Sequence, residues 1–405
     1  MHSKVKKSDI LILLFSIMMI RPYYIQLNDR LNRVWAYITL ILAVYSLVII
    51  ILRKKTRYII AEAVFFGIYI IATFLSYPNN LLSAVSIVGQ AALGYNIGVL
   101  LLTKHYHDSV ERIVPKVFTA YLYLDALSVV LGISTRVLHV QRTMTLLGYD
   151  NYAAFYVLPM LAVKMGLSLK KKGRLSREDW ICWGACTLTK ILTASYAASL
   201  ILILFAVIIL MVDKGKNLRK LLNVKNAVVF VVLLFVGIYF FNIQNIIAGL
   251  LTSAGKGVEL NSRTVIWRNV IRNFRKIPLV GIGNNTPDEF LAFFGFPFGW
   301  SATHAHNIIL DLMIQTGILG ILTYINILRE LRVEKVLMKN RWYQIFIIGI
   351  ICYIILGFFD FYFYLSAFWL LISLTKSEAV LEQSALPISI RNSSMRSKAY
   401  VSEIS

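Results

Sequence analysis

The sequence predicts an all-α integral membrane protein of about 12 transmembrane helices, with one long extracytoplasmic loop that contains an amphipathic helix. Three observations predict it. Of the 405 residues, 58% are hydrophobic and 15% charged, and the mean hydropathy is +0.69; a globular domain has roughly 45–50% apolar and about 25% charged residues. So much apolar surface cannot be hidden in one aqueous core, which makes a bilayer the solvent. The apolar residues fall in runs close to the ~20 residues that cross ~30 Å of hydrocarbon. Alternate connections between runs collect the Lys and Arg residues, 29 on one side of the membrane against 11 on the other. Disorder, a coiled coil and a disulfide scaffold are excluded by the same composition. Cys182, Cys186 and Cys352 all lie in apolar runs, so neither a disulfide framework nor a thiolate metal site is supported.

In chain order the candidate spans are 9–27, 34–52, 58–76, 81–103, 113–133, 151–169, 178–193, 195–212, 226–243, 307–328, 343–360 and 362–375. The first follows Lys4, Lys6 and Lys7, as a signal peptide would, but it has no A-x-A cleavage site and further spans follow, so it reads as retained. Cytoplasmic loops collect Lys and Arg. With the N-terminus inside, the cytoplasmic segments hold 29 of the 42 basic residues, and the alternation never breaks. Both ends are then cytoplasmic, and the net charge of +22 is topological. A nucleic-acid role would need a soluble basic module, and none is present. The expected organisation is a polytopic membrane domain over 1–375 and a polar cytoplasmic tail over 376–405, in the cytoplasmic (inner) membrane.

One outer connection, 244–306, is far longer than the rest, and loops of that length are usually functional or disordered. Its aromatic residues (Phe290, Phe293, Phe294, Phe296, Phe298, Trp300) speak against disorder. Within it, 263–277 reads as an amphipathic helix. Ile266, Trp267, Val270, Ile271, Phe274 and Ile277 share a stripe with Arg263, while Arg268, Arg272, Arg275 and Lys276 face the other way. The four opposite cations suit headgroups or solvent. Arg263 lies on the buried stripe in the first turn, where free backbone N–H groups already favour an anion. The Gly281-Ile282-Gly283 triplet does not extend to a dinucleotide fingerprint. The loop closes on Thr303-His304-Ala305-His306-Asn307, which puts His306 at the start of the next span, where a neutral imidazole can accept a proton. Asp311 follows one turn in, and Gly317 and Gly320 suit close helix packing. Two histidines two apart hint at a metal, but no third strong ligand is evident, so none is expected. Asp125 and Lys190, at similar depth in their spans, are expected to pair.

Taken together, these features resemble the O-antigen ligase / O-antigen polymerase superfamily (Wzy-type). The main carrier is His306-Asn307, nine residues, then Gly317-Ile318-Leu319-Gly320, in the family's H-[NSQ]-x9-G-x-x-G spacing. Upstream, Ser262-Arg263-x3-Trp267 and Pro278-Leu279-Val280-Gly281-Ile282-Gly283 resemble its R-x3-W … P-L-x-G-x-G stretch, and Asp150-Asn151 with Ala153 and Ala154 resembles its D-x-N-x2-A element, shortened by one residue. The resemblance covers about residues 140–330. One departure stands out: the family usually has Thr-x-Ser-Arg where this chain has Thr193-Ala194-Ser195-Tyr196, so an outer-face cation is missing unless Arg142 or Arg136 replaces it.

The resemblance implies a metal-independent, inverting membrane glycosyltransferase without a cofactor. Its donor would be an undecaprenyl-pyrophosphate-linked saccharide, and a chain-length regulator and a flippase would be its natural partners alongside membrane lipid. His306 would be the catalytic base and Arg263 the cation for the departing pyrophosphate. Asn307, Trp267, Arg142, Asp150, Asn151, His304 and Tyr196 would bind substrate. The Tyr196 departure and the weak N-terminal resemblance favour a polymerase of capsule, exopolysaccharide or O-antigen repeat units over a ligase. A flippase or transporter is the alternative of another class, but it predicts internal repeats that are not found.

Overall fold

The computed structural model describes residues 6–133, 144–214, 223–243, 245, 263–296, 302, 304–331 and 337–385. Arg136, Arg142, Ser262, Phe298, Trp300, Thr303 and residues 386–405 therefore lie outside the described residues, as does the side chain of Asp150. The described residues are all-α apart from one two-stranded hairpin. In order come α1 (Lys7–Met18), α2 (Asp29–Leu52), α3 (Ile60–Ser76), α4 (Leu81–Leu100) and α5 (His107–Val130), then strands β1 (Met144–Thr145) and β2 (Gly148–Tyr149). Helices α6 (Asp150–Lys172), α7 (Arg177–Leu192), α8 (Tyr196–Asp213) and α9 (Val224–Phe241) follow. The long loop contributes α10 (Arg263–Arg272) and α11 (Pro287–Phe294), before α12 (Ile308–Glu330), α13 (Arg341–Leu356) and α14 (Ser366–Ala385).

Each of the twelve apolar runs contains one of these helices. Seven are long and apolar enough to cross a membrane: Asp29–Leu52, Pro78–Leu100, His107–Val130, Asn151–Lys172, Tyr196–Asp213, Val224–Phe241 and Ile308–Glu330. Two shorter apolar helices, Ile60–Ser76 and Arg341–Leu356, join them. This is a multi-pass membrane protein. Many large apolar side chains stay exposed on the outside of the bundle, Val130, Leu52 and Phe241 among them, as lipid-facing surface requires.

The helix ends follow local chemistry. Asn28 caps α2, its side chain accepting from the Arg30 and Leu31 amides at 3.1 Å. Ser176 and Asp179 form a capping box at the start of α7. Gly173, with φ 70°, stops α6 after three lysines. Three boundaries differ from the sequence expectation. Helix α1 ends at Met18 rather than near 27, because Pro22 pushes Arg21 out of helical geometry. The aromatic stretch 357–365, expected to be mostly helical, is a connector between α13 and α14. Helix α14 runs to Ala385, ten residues into the segment expected to be tail, because Lys376 bonds Glu62 and Glu330 at 2.5 Å and Glu378 takes Lys170 at 2.6 Å.

Burying charge in such a core requires partners. Lys164 meets Asp179 at 2.6 Å. Lys190 and Asp125 stand 3.7 Å apart, the pairing expected from their depth, and Asp125 also accepts the Leu147 amide at 2.8 Å.

The break in α12 is the feature that positions the loop. Gly317 has φ 62° and ψ −165°, so the helical ladder is interrupted there. The freed backbone groups are taken up by the Pro278–Gly283 stretch. Ile282 N donates to Ile314 O at 2.7 Å, Gly283 N to Gln315 O at 3.1 Å, and Leu319 N donates to Leu279 O at 3.2 Å. Non-helical backbone inside a membrane protein survives only when protein re-satisfies it in this way. Gly317 therefore serves a docking joint rather than helix–helix packing. A Cβ on it would lie 2.1 Å from the Leu279 carbonyl oxygen.

Candidate active site

The site is built where the loop re-enters the bundle. Helix α10 buries Ile266, Trp267 and Val270 and exposes Arg268 and Arg272, as its periodicity predicts. The stripe stops one turn early. Asn273 donates to both Asn269 O and Phe294 O, at 3.0 and 3.2 Å, and the chain tightens into a short 3₁₀ turn that leaves Phe274 exposed. Helix α11 was not expected, although Thr286-Pro287-Asp288-Glu289 is a legible start signal: Thr286 and Glu289 form a capping box with proline in the first turn. Glu289 also accepts from Asn80 at 2.7 Å, which ties α11 to the end of α3 and α4.

Trp267 is fully buried, and its indole Nε1 donates to the Ala305 carbonyl at 3.0 Å. The expected substrate-binding tryptophan thus holds the histidine segment in place. Asp311 grips the same segment from the other side, accepting the Ala305 amide at 2.7 Å and the Asn307 amide at 3.0 Å. Asn307 is buried and caps α12, its Oδ1 accepting from Ile309 N and Leu310 N, while its Nδ2 finds no partner among the described residues. Between these clamps His306 adopts φ 52°, an unusual backbone for a non-glycine residue. That kink turns His304 and His306 to the same side, with ring centroids 3.9 Å apart.

Both rings converge on Asp360, in the α13–α14 connector. His304 Nε2 lies 2.7 Å from Asp360 Oδ1, and His306 Nδ1 lies 3.2 Å from the same oxygen. Tyr362 donates to Asp360 Oδ2 at 3.4 Å, and the Phe361 amide to Oδ1 at 3.1 Å. Burial opposes the charge on Asp360, but the hydrogen bond and charge of His304, then those of His306, hold its carboxyl far below the usual range. Asp360 is therefore an acceptor, and both imidazole nitrogens facing it donate. Burial also works against an imidazolium at His304, yet the charge of Asp311 and the bond to Asp360 raise it overall. Arg263, half-buried at the start of α10, is lowered mainly by burial, against the pull of Asp360 and Tyr362. The guanidinium is thus within electrostatic reach of the histidine–aspartate cluster, and no carboxylate pairs with it within 4.0 Å among the described residues.

The other expected site residues are distributed more widely. Ser195, in the break between α7 and α8, donates to Asn151 Oδ1 at 2.7 Å, so the two short motifs on different helices do meet. Tyr149, just ahead of them, shares a 3.2 Å hydroxyl contact with Tyr362, whose ring lies 5.2 Å from that of His304. Tyr196 begins α8 with its ring exposed.

Sequence reasoning missed Asp360 altogether. The available signal was a lone carboxylate within Phe358-Phe359-Asp360-Phe361-Tyr362-Phe363, an expensive residue in so apolar a run. His304, His306 and Asp360 also supply the third ligand that the sequence did not: their ligand atoms lie within 4.8 Å of one another, a set able to hold a divalent transition metal. The charge of Arg263, which acts on the same carboxylate, works against a further cation there. No curated protein matches the chain. Residues 182–325, from within α7 through the loop helices into α12, match the family model described as O-antigen ligase, in keeping with the superfamily that the motifs resemble.

Proposed function

We propose that this protein is a polysaccharide polymerase that joins undecaprenyl-pyrophosphate-linked oligosaccharide repeat units on the outer face of the cytoplasmic membrane, with both chain ends cytoplasmic. One observation carries the reading. Arg263, a cation with no carboxylate within 4.0 Å among the described residues, feels the charge of Asp360, the buried carboxylate that also holds the imidazole of His306. A lipid diphosphate leaving group needs the first, and a sugar hydroxyl acceptor needs the second.

In this reading Asp360 accepts the Nδ1 proton of His306 and so fixes the tautomer in which Nε2 is free to take a proton. The acceptor hydroxyl loses its proton to Nε2 while its oxygen bonds to the anomeric carbon of the donor. The bond from that carbon to the diphosphate oxygen breaks, and its electron pair leaves on the lipid diphosphate, whose charge Arg263 offsets. Attack opposite the leaving group inverts the anomeric centre. No step requires a metal. His304, half-buried beside the same carboxylate, keeps Asp360 ionised. A chain-length regulator and a flippase would be the partners that set product size and deliver substrate.

The matched family is described as a ligase, which favours a second reading: transfer of the glycan to a different acceptor by the same cluster. The two separate by product. Full-length protein in liposomes is given lipid-linked repeat units, and chain extension is followed. The polymerase reading expects a ladder of products. Failure to extend, with transfer appearing only when another acceptor is supplied, would establish the ligase. His306→Ala should lower the rate about 10²–10⁴-fold and Arg263→Ala about 10²–10³-fold. A wild-type rate in either variant removes the assignment.

A further inference from the structure

Arg21 is a second cation at the same end of the bundle, and neither the matched segment nor the motifs account for it. It lies in the turn after α1, half-buried, with no carboxylate within 4.0 Å among the described residues. Its Nη1 donates to Asn32 Oδ1 at 2.9 Å, while its Nε is buried without a partner among those residues. A cation in that state has paid for desolvation without a counter-charge.

Its surroundings lead to the candidate active site. The Tyr23 amide donates to Leu146 O at 2.8 Å, which fastens the Arg21 turn to the β1–β2 hairpin, and the Tyr23 ring packs edge-on against Tyr149 at 6.3 Å. Tyr149 contacts Tyr362, and Tyr362 contacts Asp360 and His304. The Tyr149 ring stacks on Tyr152 at 5.8 Å, and Tyr152 packs edge-on against Tyr156 at 5.8 Å and against Tyr362 at 4.7 Å. A row of tyrosines therefore runs from the Arg21 turn through Tyr23 and Tyr149 to Tyr362, beside the carboxylate of Asp360 whose charge acts on Arg263, and neither arginine has a carboxylate within 4.0 Å among the described residues.

We propose that Arg21 binds the diphosphate of a second lipid-linked saccharide, the acceptor, while Arg263 holds that of the donor. This rests on the polymerase reading, in which both substrates carry a lipid diphosphate and only the donor loses it. Two separated cations match two diphosphates, one departing and one retained. Tyr23 and Tyr149, the half-buried members of that row, are suited to the sugars that must meet there, since an aromatic ring offers an apolar face and a polar handle together.

The test counts bound lipid rather than product. Full-length protein in detergent micelles is titrated with undecaprenyl pyrophosphate, and the complexes are resolved by native mass spectrometry. Wild type is expected to take up two equivalents, and Arg21→Gln and Arg263→Gln one each, with the lost equivalent weakened at least tenfold. Arg21→Lys, which keeps the charge, should retain two. Asn32→Ala, which removes the hydrogen bond and leaves the charge, should also retain two; a drop to one in that variant would mean that Arg21 acts through local structure, and would overturn the proposal. So would two equivalents in Arg21→Gln, one in wild type, or equal displacement by phosphatidylglycerol. Two equivalents in wild type, one in Arg21→Gln and no chain extension would instead retire the polymerase reading and leave the second site standing.

Discussion

His306 Nδ1 lies 3.2 Å from Asp360 Oδ1, across 54 residues of sequence. This contact closes the end of the long loop onto the α13–α14 connector and gives the imidazole a defined orientation. Asp360→Asn preserves the shape but offers an amide that can present either oxygen or nitrogen to the ring, so the productive tautomer is no longer enforced. We expect a loss of about 10²–10⁴-fold in kcat with a much smaller change in KM, read from initial rates of chain extension.

The same carboxylate sets a pH dependence of stability. The His304 pKa is raised above 6.5, with burial opposing, and Asp311 and Asp360 favouring, the charged ring. A group whose folded pKa is raised contributes stability that is complete below its unfolded value and is lost as pH rises through the folded one. Thermal melting followed from pH 6 to pH 9 should therefore show a declining midpoint once the pH passes about 6.5. Asp360 contributes in the opposite sense, above the unfolded carboxylate value, and its loss would appear only in acid. Asp360→Asn should flatten the decline between pH 6 and pH 9, and an unchanged slope would count against the pairing.

Metal removal distinguishes the two chemistries that His304, His306 and Asp360 could support. If hydrogen bonding between the imidazoles and the carboxylate is their working state, dialysis against EDTA followed by desalting leaves the extension rate unchanged. Loss of activity that zinc restores would assign the cluster to a metal.

Gly317→Ala probes the joint between loop and helix. The residue has φ 62°, and its new Cβ would meet the Leu279 carbonyl oxygen at 2.1 Å. The conformational cost alone is about 1–3 kcal/mol, and relieving the clash should pull the Pro278–Gly283 stretch off α12. A lower melting temperature together with reduced activity is expected. Gly67→Ala, in α3 where a Cβ meets nothing within 4 Å, should change neither.

Much of the site was legible because its parts obey local rules. The stripe of α10 follows from helical periodicity. The span expected to start at residue 307 does start there, with Asn307 as the cap of α12. Trp267 and Asn307, expected at the substrate, are buried and support the histidine segment, because an indole N–H and a cap oxygen at those positions satisfy backbone groups that would otherwise be orphaned. The pairing of Asp125 with Lys190 was readable from depth alone, since neither can stay charged in an apolar layer without the other.

The sequence by itself determined that the chain is a helical membrane protein, that one loop differs from the rest, and that an imidazole and a guanidinium sit at its two structured ends. These follow from hydrophobicity, charge and spacing, which act over one or two helical turns. Only the tertiary structure decided that Asp360 joins the histidines, that Gly317 breaks its helix to receive the loop, and that the turn carrying Arg21 is fastened through Tyr23 and Tyr149 to the same cluster. Each of those depends on backbone and side-chain groups distant in sequence satisfying one another in a medium without water, and no local pattern encodes which distant partner will be within reach.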